Sequence, residues 1–159
     1  MAFVLLFSSH GASAVDIGQL APEFSLGNEG PATVSLSALR GKLVYVDFWA
    51  SWCAPCRRSF PWMNAMQEKY GANGLVIVGI NVDQRNADAK KFLAQVPAKF
   101  AIAYDPAGAT PKAYAIKGMP SSVLIDGEGR VLALHPGFRD EDREGLESQI
   151  RTALPKRAN

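Results

Sequence analysis

The fold is decided by Val46-Asp47-Phe48-Trp49-Ala50-Ser51-Trp52-Cys53-Ala54-Pro55-Cys56, in which an apolar run leads directly into a cysteine pair. The run starts at Leu43, and its β-branched and aromatic residues are typical of a strand buried on both faces. From residue 55 to residue 70, apolar side chains recur at helical spacing. Residues 75–82 form a second apolar run, so the three segments predict a parallel strand-helix-strand unit.

Outward from this unit, the same patterns predict the other elements of an α/β fold. A β-hairpin is expected before this unit, because two short strand patterns flank a segment that contains the turn-forming residues Gly, Asn and Pro. A second, antiparallel hairpin is expected around Gly127-Glu128-Gly129. The predicted segments are strands at 17–26, 33–36, 100–104, 121–126 and 130–135, and helices at 86–96, 109–116 and 141–154.

The composition indicates one soluble globular domain, which we assign to residues 15–159. A chain of 159 residues is long enough to bury one full hydrophobic core and short for two. Hydrophobic residues make up 48% of the chain and charged residues 20%, which argues against extensive disorder. The net charge is only +2 and the basic residues form no long run, so we expect no nucleic-acid partner. We expect a monomer.

The first fourteen residues have the pattern of a secretory leader. Residues 2–7 (AFVLLF) are an uninterrupted apolar run, and Ala12-Ser13-Ala14 has the small-x-small form accepted by signal peptidase. The alternative is an apolar first strand or a frayed tail. No later stretch approaches the roughly 18 apolar residues that span a bilayer. We therefore expect export to the periplasm or another extracytoplasmic space, with the leader cleaved or retained as an anchor.

Both cysteines of the chain lie at the junction between the predicted central strand and the helix that follows it. Residues three apart at a helix start can join their sulfurs, so the pair can cycle between dithiol and disulfide. The free N-H groups and the positive dipole end of the first turn stabilise a thiolate. We therefore predict a depressed pKa for Cys53, which acts as the nucleophile, and assign Cys56, one turn further, as the resolving thiol.

Asp47 is the only charged residue in the predicted central strand. A carboxyl group buried among apolar residues has a raised pKa, which suits a general base near neutral pH. Asp47 could point beneath the cysteine pair and accept the proton of Cys56, directly or through a water. The alternatives are a hydrogen-bonded structural group or a side chain that faces solvent.

Other uses of the cysteine pair are less consistent with the sequence. A structural zinc site needs four ligands, and the only histidines are His10, in the predicted leader, and His135. A structural disulfide across so small a loop adds little stability. The sequence therefore predicts redox exchange without a metal or other cofactor.

The segment from Val46 to Cys56 resembles the active site of the thioredoxin superfamily, and more closely its exported TlpA/ResA-like branch. The similarity extends over residues 21–154 by the order of elements. It implies a thioredoxin-like fold: a central mixed sheet flanked by helices, with an N-terminal β-hairpin and a central α/β insertion at about residues 87–116. One departure is Gly79, which stands where thioredoxin itself has a lysine near its buried aspartate.

The resemblance also implies roles for residues around the pair. Pro55 sets the geometry of the active-site helix, and Pro61 falls where the family kinks it. Gly118-Met119-Pro120 looks like the family's cis-proline loop, which leaves the Met119 backbone free to pair with an extended substrate. Trp52 and Gly137 fall near the same substrate-binding surface, although Gly137 is equally consistent with a plain turn glycine.

The function implied is that of a disulfide reductase for protein substrates such as apocytochrome c or its maturation factors. A membrane thiol-disulfide electron donor would reduce the pair again. The reducing direction rests on the family and on Ala54-Pro55, which places no histidine between the cysteines. The alternatives are a disulfide-introducing oxidase and a redox-inactive copper-delivery module that uses the cysteines and His135 as ligands.

Overall fold

The computed structural model describes residues 15–156, which form a mixed five-stranded sheet, a separate hairpin and four α-helices. The strands are β1 Ser25–Gly27, β2 Thr33–Ser35, β3 Leu43–Trp49, β4 Leu75–Asn81, β5 Ala101–Tyr104, β6 Ser121–Ile125 and β7 Val131–Pro136. The α-helices are α1 Ala54–Tyr70, α2 Asn86–Gln95, α3 Ala109–Ala113 and α4 Arg143–Ala153. The predicted leader lies outside the described residues.

The strand order in the sheet is β5-β4-β3-β6-β7. Strands β3, β4 and β5 run parallel to one another, whereas β6 pairs antiparallel with both β3 and β7. Strands β1 and β2 form the separate antiparallel hairpin. Between β4 and β6 the chain inserts α2, β5 and α3. This confirms the predicted fold, including the mixed sheet, the N-terminal hairpin and the central insertion.

Strand β3 is buried along its whole length because both faces of the sheet are covered. Leu43, Tyr45 and Trp49 pack on the side that carries α1, α2 and α4. The alternate residues, among them Phe48, pack on the other side against the hairpin and Tyr114, which directly follows α3. The alternation of side chains along a strand therefore assigns odd-numbered β3 residues to the α1 side.

Two predicted elements have bounds that differ from those of the structure by three residues or more. Residues 17–26 do not form one strand: the segment around Gly18 hydrogen-bonds to the start of β7, with Gly18 N donating to Val131 O at 2.7 Å, and only Ser25–Gly27 pairs in the hairpin. Pro22, which has no N-H to donate, separates the two pairings. Helix α3 ends at Ala113 instead of residue 116, because Ala115 has φ +53°, which a right-handed helix cannot accommodate.

Among residues 15–156, no helix is both long and apolar enough to cross a bilayer.

Gly79 lies on β4 directly beside Asp47 on β3. A Cβ atom at this position would lie 3.0 Å from Phe100 Cε2, 3.1 Å from Ile102 Cδ1 and 3.1 Å from Trp49 Nε1. The space that a longer side chain would need is therefore occupied by these three residues, and β4 offers Asp47 no cation at this position.

We expect Gly79→Ala to lower the free energy of unfolding by about 1–3 kcal/mol, because the added methyl group overpacks the core. Urea unfolding measures this change. Gly27→Ala is the matched control, since a Cβ there meets nothing within 4 Å, and its effect should stay within about 0.5 kcal/mol. Equal losses for both variants would contradict the close packing at Gly79.

Candidate active site

Cys53 and Cys56 occupy the first turn of α1, immediately after the loop that follows β3. Cys53 is the N-cap residue, with an extended backbone, and its Sγ accepts the N-H of Cys56 at 3.3 Å. The two sulfurs are joined in a disulfide, with the Cα atoms 5.4 Å apart. The sequence thus predicted the location of the pair and its ability to form a bond.

The first turn of α1 favours negative charge at the Cys53 sulfur. Its free N-H groups and the helix dipole both present positive charge there. The turn contains no acidic residue, and Arg57 and Arg58 follow the pair on the exposed side of the helix. Pro55 at the second helical position removes an N-H that would have had no intrahelical partner. Pro61 lies inside the helix, as predicted.

Burial differs sharply between the cysteines and the residue that precedes them. Cys53 is 3% exposed and Cys56 is fully buried, whereas the Trp52 side chain is 72% exposed. A large apolar side chain is therefore held in solvent directly beside the cysteine pair.

The loop that carries Trp52 is fixed by a carboxylate that the sequence analysis missed. Asp83 is buried and accepts hydrogen bonds from the Ser51 backbone N-H at 3.0 Å and from the Ser51 hydroxyl at 3.0 Å. Asn81 Nδ2 donates to the same carboxylate at 2.8 Å. The sequence did carry a signal for this role, because the polar residues Asn81 and Asp83 stand at the carboxyl end of a buried strand, next to the end of β3.

Asp47 is 2% exposed and lies on the α1 side of β3, the side where Cys56 packs. Its neighbour on β6 is Ser122, whose Oγ accepts a hydrogen bond from the Tyr45 hydroxyl at 2.8 Å. Among residues 15–156, no group donates a hydrogen bond to Asp47 Oδ2. Burial raises the pKa of Asp47 well above its usual range. The interpretation that Asp47 faces solvent was therefore wrong.

The raised pKa of Asp47 predicts a pH-dependent stability. The folded protein holds a proton that the unfolded chain has released, so the free energy of unfolding falls as the pH rises above the unfolded pKa of about 3.9. The loss continues until the pH passes the folded pKa. In this window the difference in the free energy of unfolding between the wild type and Asp47→Asn should change by about 1.4 kcal/mol per pH unit. Urea unfolding of both oxidised proteins at several pH values measures it, and parallel profiles would contradict a buried, protonated Asp47.

The loop before β6 has the geometry that the resemblance implied. The Met119-Pro120 peptide bond is cis. The Gly137 N-H donates to the carbonyl of Pro120 at 2.8 Å, so the glycine lies directly beside this loop. Gly137 has φ +81°, a conformation that favours glycine. Gly137 is therefore a turn glycine that neighbours Pro120, and its place on a substrate-binding surface stays a prediction.

Two adjoining grooves bring the predicted surface residues together. Trp52 and Met119 line a groove of about 480 Å³. Met119, Pro120 and Gly137 line a second groove of about 460 Å³. The two grooves share residues 115–119, which include Met119.

His135 lies on β7, where its Nε2 is 3.3 Å from Asp142 Oδ2. Among residues 15–156, no three His, Cys, Asp or Glu side chains are grouped so that they could hold a metal ion. The structure therefore does not place His135 with the two cysteines as the copper-delivery alternative would require.

A cysteine pair at the N-terminus of α1, a cis-proline loop beside Met119 and this strand order together define a thioredoxin-like redox protein. Comparisons with known proteins give the family. The Redoxin family model matches residues 16–153. The thiol-disulfide oxidoreductase ResA of Bacillus thuringiensis subsp. konkukian is 32% identical over 141 residues, which cover 89% of this chain and 80% of that protein.

Further similarity comes from Bacillus subtilis ResA, which is 30% identical over 131 residues covering 82% of this chain and 73% of that protein. A crystal structure from Chlorobium tepidum, provisionally named as the thiol:disulfide interchange protein DsbE, is 55% identical with a TM-score of 0.87. The match covers 89% of this chain and all of that one. The chain belongs to the Redoxin family and is a ResA-like thiol-disulfide oxidoreductase of the thioredoxin superfamily, which confirms the predicted family.

Proposed function

We propose that this oxidoreductase works as a disulfide reductase on exported protein substrates, with Cys53 as the attacking thiol. The observation that carries the assignment of Cys53 is that its sulfur caps α1 and accepts the Cys56 N-H. The reducing direction is supported by the family and by Ala54-Pro55, which places no histidine between the cysteines. A thiolate at this position gains the hydrogen bond and the helix dipole, which stabilise it for attack on a disulfide.

Reduction of a client disulfide proceeds by two exchanges. The Cys53 thiolate attacks one client sulfur, which breaks the client S-S bond, forms a mixed disulfide and releases a client thiolate that takes a proton. The Cys56 thiolate then attacks the Cys53 sulfur, breaks the mixed disulfide and releases the second client thiolate. The client gains two electrons, and the Cys53–Cys56 pair ends oxidised.

Asp47 accepts the proton that Cys56 must lose before the second exchange. Three observations support this role: the carboxyl group lies on the α1 side of the sheet, it is buried, and one of its oxygens is free of hydrogen-bond donors within residues 15–156. A carboxyl group with a raised pKa is well matched to a thiol as a proton acceptor near neutral pH.

The client binds along the surface that surrounds the pair. Trp52 supplies an exposed apolar contact, and Met119, with Pro120 and Gly137 behind it, presents the backbone edge of the cis-proline loop. An extended client segment can pair with that edge as an added strand. Pro55 and Pro61 hold the shape of the helix that carries the cysteines.

The setting of the reaction is extracytoplasmic. The leader-like pattern of residues 1–14 supports export, with residues 15–159 as the working domain, monomeric and either released or anchored at its N-terminus. A membrane thiol-disulfide donor returns two electrons to the pair, and apocytochrome c or its maturation factors are the client class. The protein needs no cofactor for thiol-disulfide exchange.

Trapping of clients tests the proposal. Cys56→Ser removes the resolving thiol, so mixed disulfides between Cys53 and client proteins should accumulate when the reduced variant is incubated with oxidised periplasmic extract. Non-reducing electrophoresis followed by mass spectrometry identifies them. The Cys53→Ser/Cys56→Ser double variant is the control. If the single variant traps no more protein than the double variant, the proposed client chemistry is wrong.

A further inference from the structure

The groove between Trp52 and Met119 has an apolar floor and a basic rim. Val82, Pro111 and Ile116 line it together with these two residues. Lys112 and Lys117 line it as well, and both are exposed. Within residues 15–156, neither lysine forms an ion pair or a hydrogen bond with a carboxylate of the protein. Their charges are therefore available to a bound partner.

Three acidic groups of the neighbouring segments do not neutralise the rim. Asp83 is buried and bonded to Ser51, and Asp105 is buried and accepts the N-H of Thr110 at 2.6 Å. Asp88 is paired with Arg85 at 2.8 Å. None of these carboxylates lines the groove.

Further positive charge adjoins the cysteine pair on α1. Arg57 and Arg58 are exposed directly after Cys56, and Arg57 is held by Gln95 and the Phe92 ring at the start of the helix. The chain as a whole is nearly neutral, with 17 basic and 15 acidic residues. These basic residues therefore place positive charge beside the cysteine pair.

We propose that this groove selects client segments that carry Asp or Glu within a few residues of the reactive cysteine and an apolar side chain beside it. The apolar side chain packs on Trp52 and the floor, while the carboxylates pair with Lys112 and Lys117. The occupant is a protein segment because the groove adjoins the Cys53–Cys56 pair, so the inference rests on the proposed reduction of protein disulfides. Charge complementarity of this kind acts chiefly on the association rate and on the choice of partner.

Three peptide disulfides test the selection. They share one sequence and differ only in the residues flanking the cysteine, which are Glu, Gln or Lys. The reduced wild-type protein should react about tenfold faster with the Glu peptide than with the Lys peptide at low ionic strength, in the range of electrostatic steering. The preference should shrink in 0.5 M salt because exposed charges are then screened.

The Lys112→Glu/Lys117→Glu variant should reverse the Glu-to-Lys rate ratio. Because both rates are measured on the same variant, any general loss of activity cancels in their ratio. The matched control is Lys42→Glu/Lys156→Glu, which changes the net charge by the same amount. Lys42 precedes β3 at the end of the sheet opposite the cysteines. Lys156 lies at that same end, because it follows Pro155, which packs against Gly74. The control should keep the wild-type preference.

The outcomes separate the two proposals. A wild-type Glu-to-Lys rate ratio near one would overturn the acidic-client inference while leaving the reductase intact. The same conclusion would follow if Lys112→Glu/Lys117→Glu kept the wild-type preference, or if the control variant lost it to the same extent. Failure to reduce even the Gln peptide would contradict the proposed reduction itself, and with it the inference.

Discussion

Cys53→Ser should abolish reduction of peptide disulfides, with a loss of about 10³-fold or more, as expected when a nucleophile is removed. A serine hydroxyl in the same position stays protonated and cannot form a disulfide, so neither the helix dipole nor the Cys56 N-H can rescue the reaction. The measurement is the rate of client thiol release by the reduced protein under single-turnover conditions.

The matched variant Cys56→Ser separates the roles of the two cysteines. It keeps the Cys53 sulfur at the N-cap, so the first client thiolate should be released at a near wild-type rate while the second remains bound in the mixed disulfide. If Cys53→Ser forms the mixed disulfide and Cys56→Ser does not, the assignment of nucleophile and resolver is reversed.

Asp47→Asn should slow release of the second client thiolate by about 100-fold near neutral pH, a typical contribution of a general base. Asparagine has the size of aspartate but cannot accept the proton of Cys56. In the wild-type protein the release rate should rise with pH as Asp47 loses its proton, at a pH well above the ordinary range for aspartate because burial raises its pKa. The variant should lack this rise.

Ser122→Ala is the control for disturbance of the site, because it removes the Tyr45–Ser122 hydrogen bond beside Asp47 and leaves the carboxyl group in place. Its release rate should keep the wild-type pH profile. Stopped-flow measurement of release after formation of the mixed disulfide gives both profiles. An Asp47→Asn profile that matches the wild type would show that another group, or water, takes the proton.

The central unit of β3, α1 and β4 could be predicted because the sequence patterns that specify it lie within one continuous stretch of the chain. Strand β3 is apolar throughout, since both faces of the sheet are covered, and the cysteines mark the start of the helix that follows. The cis bond before Pro120 could be expected only through the family resemblance, since most X-Pro bonds are trans.

Features that depend on distant parts of the chain could not be predicted. Residues near Gly18 follow a strand pattern, but their partner is the start of β7, more than a hundred residues away. The role of Asp83 depends on the adjacency of β3 and β4, which brings Ser51 to its carboxylate. The basic rim likewise arises only when α3 and the segment after it fold back beside Trp52.

Equilibration of the Cys53–Cys56 couple with glutathione redox buffers tests the reducing role most directly. The fraction of reduced protein at each buffer ratio gives the reduction potential of the couple. A reductase should have a potential near the thioredoxin value of about −270 mV, so that client disulfides draw electrons from the pair. A potential near about −120 mV, the value of a strongly oxidising couple, would contradict the reductase and identify the protein as a donor of disulfides.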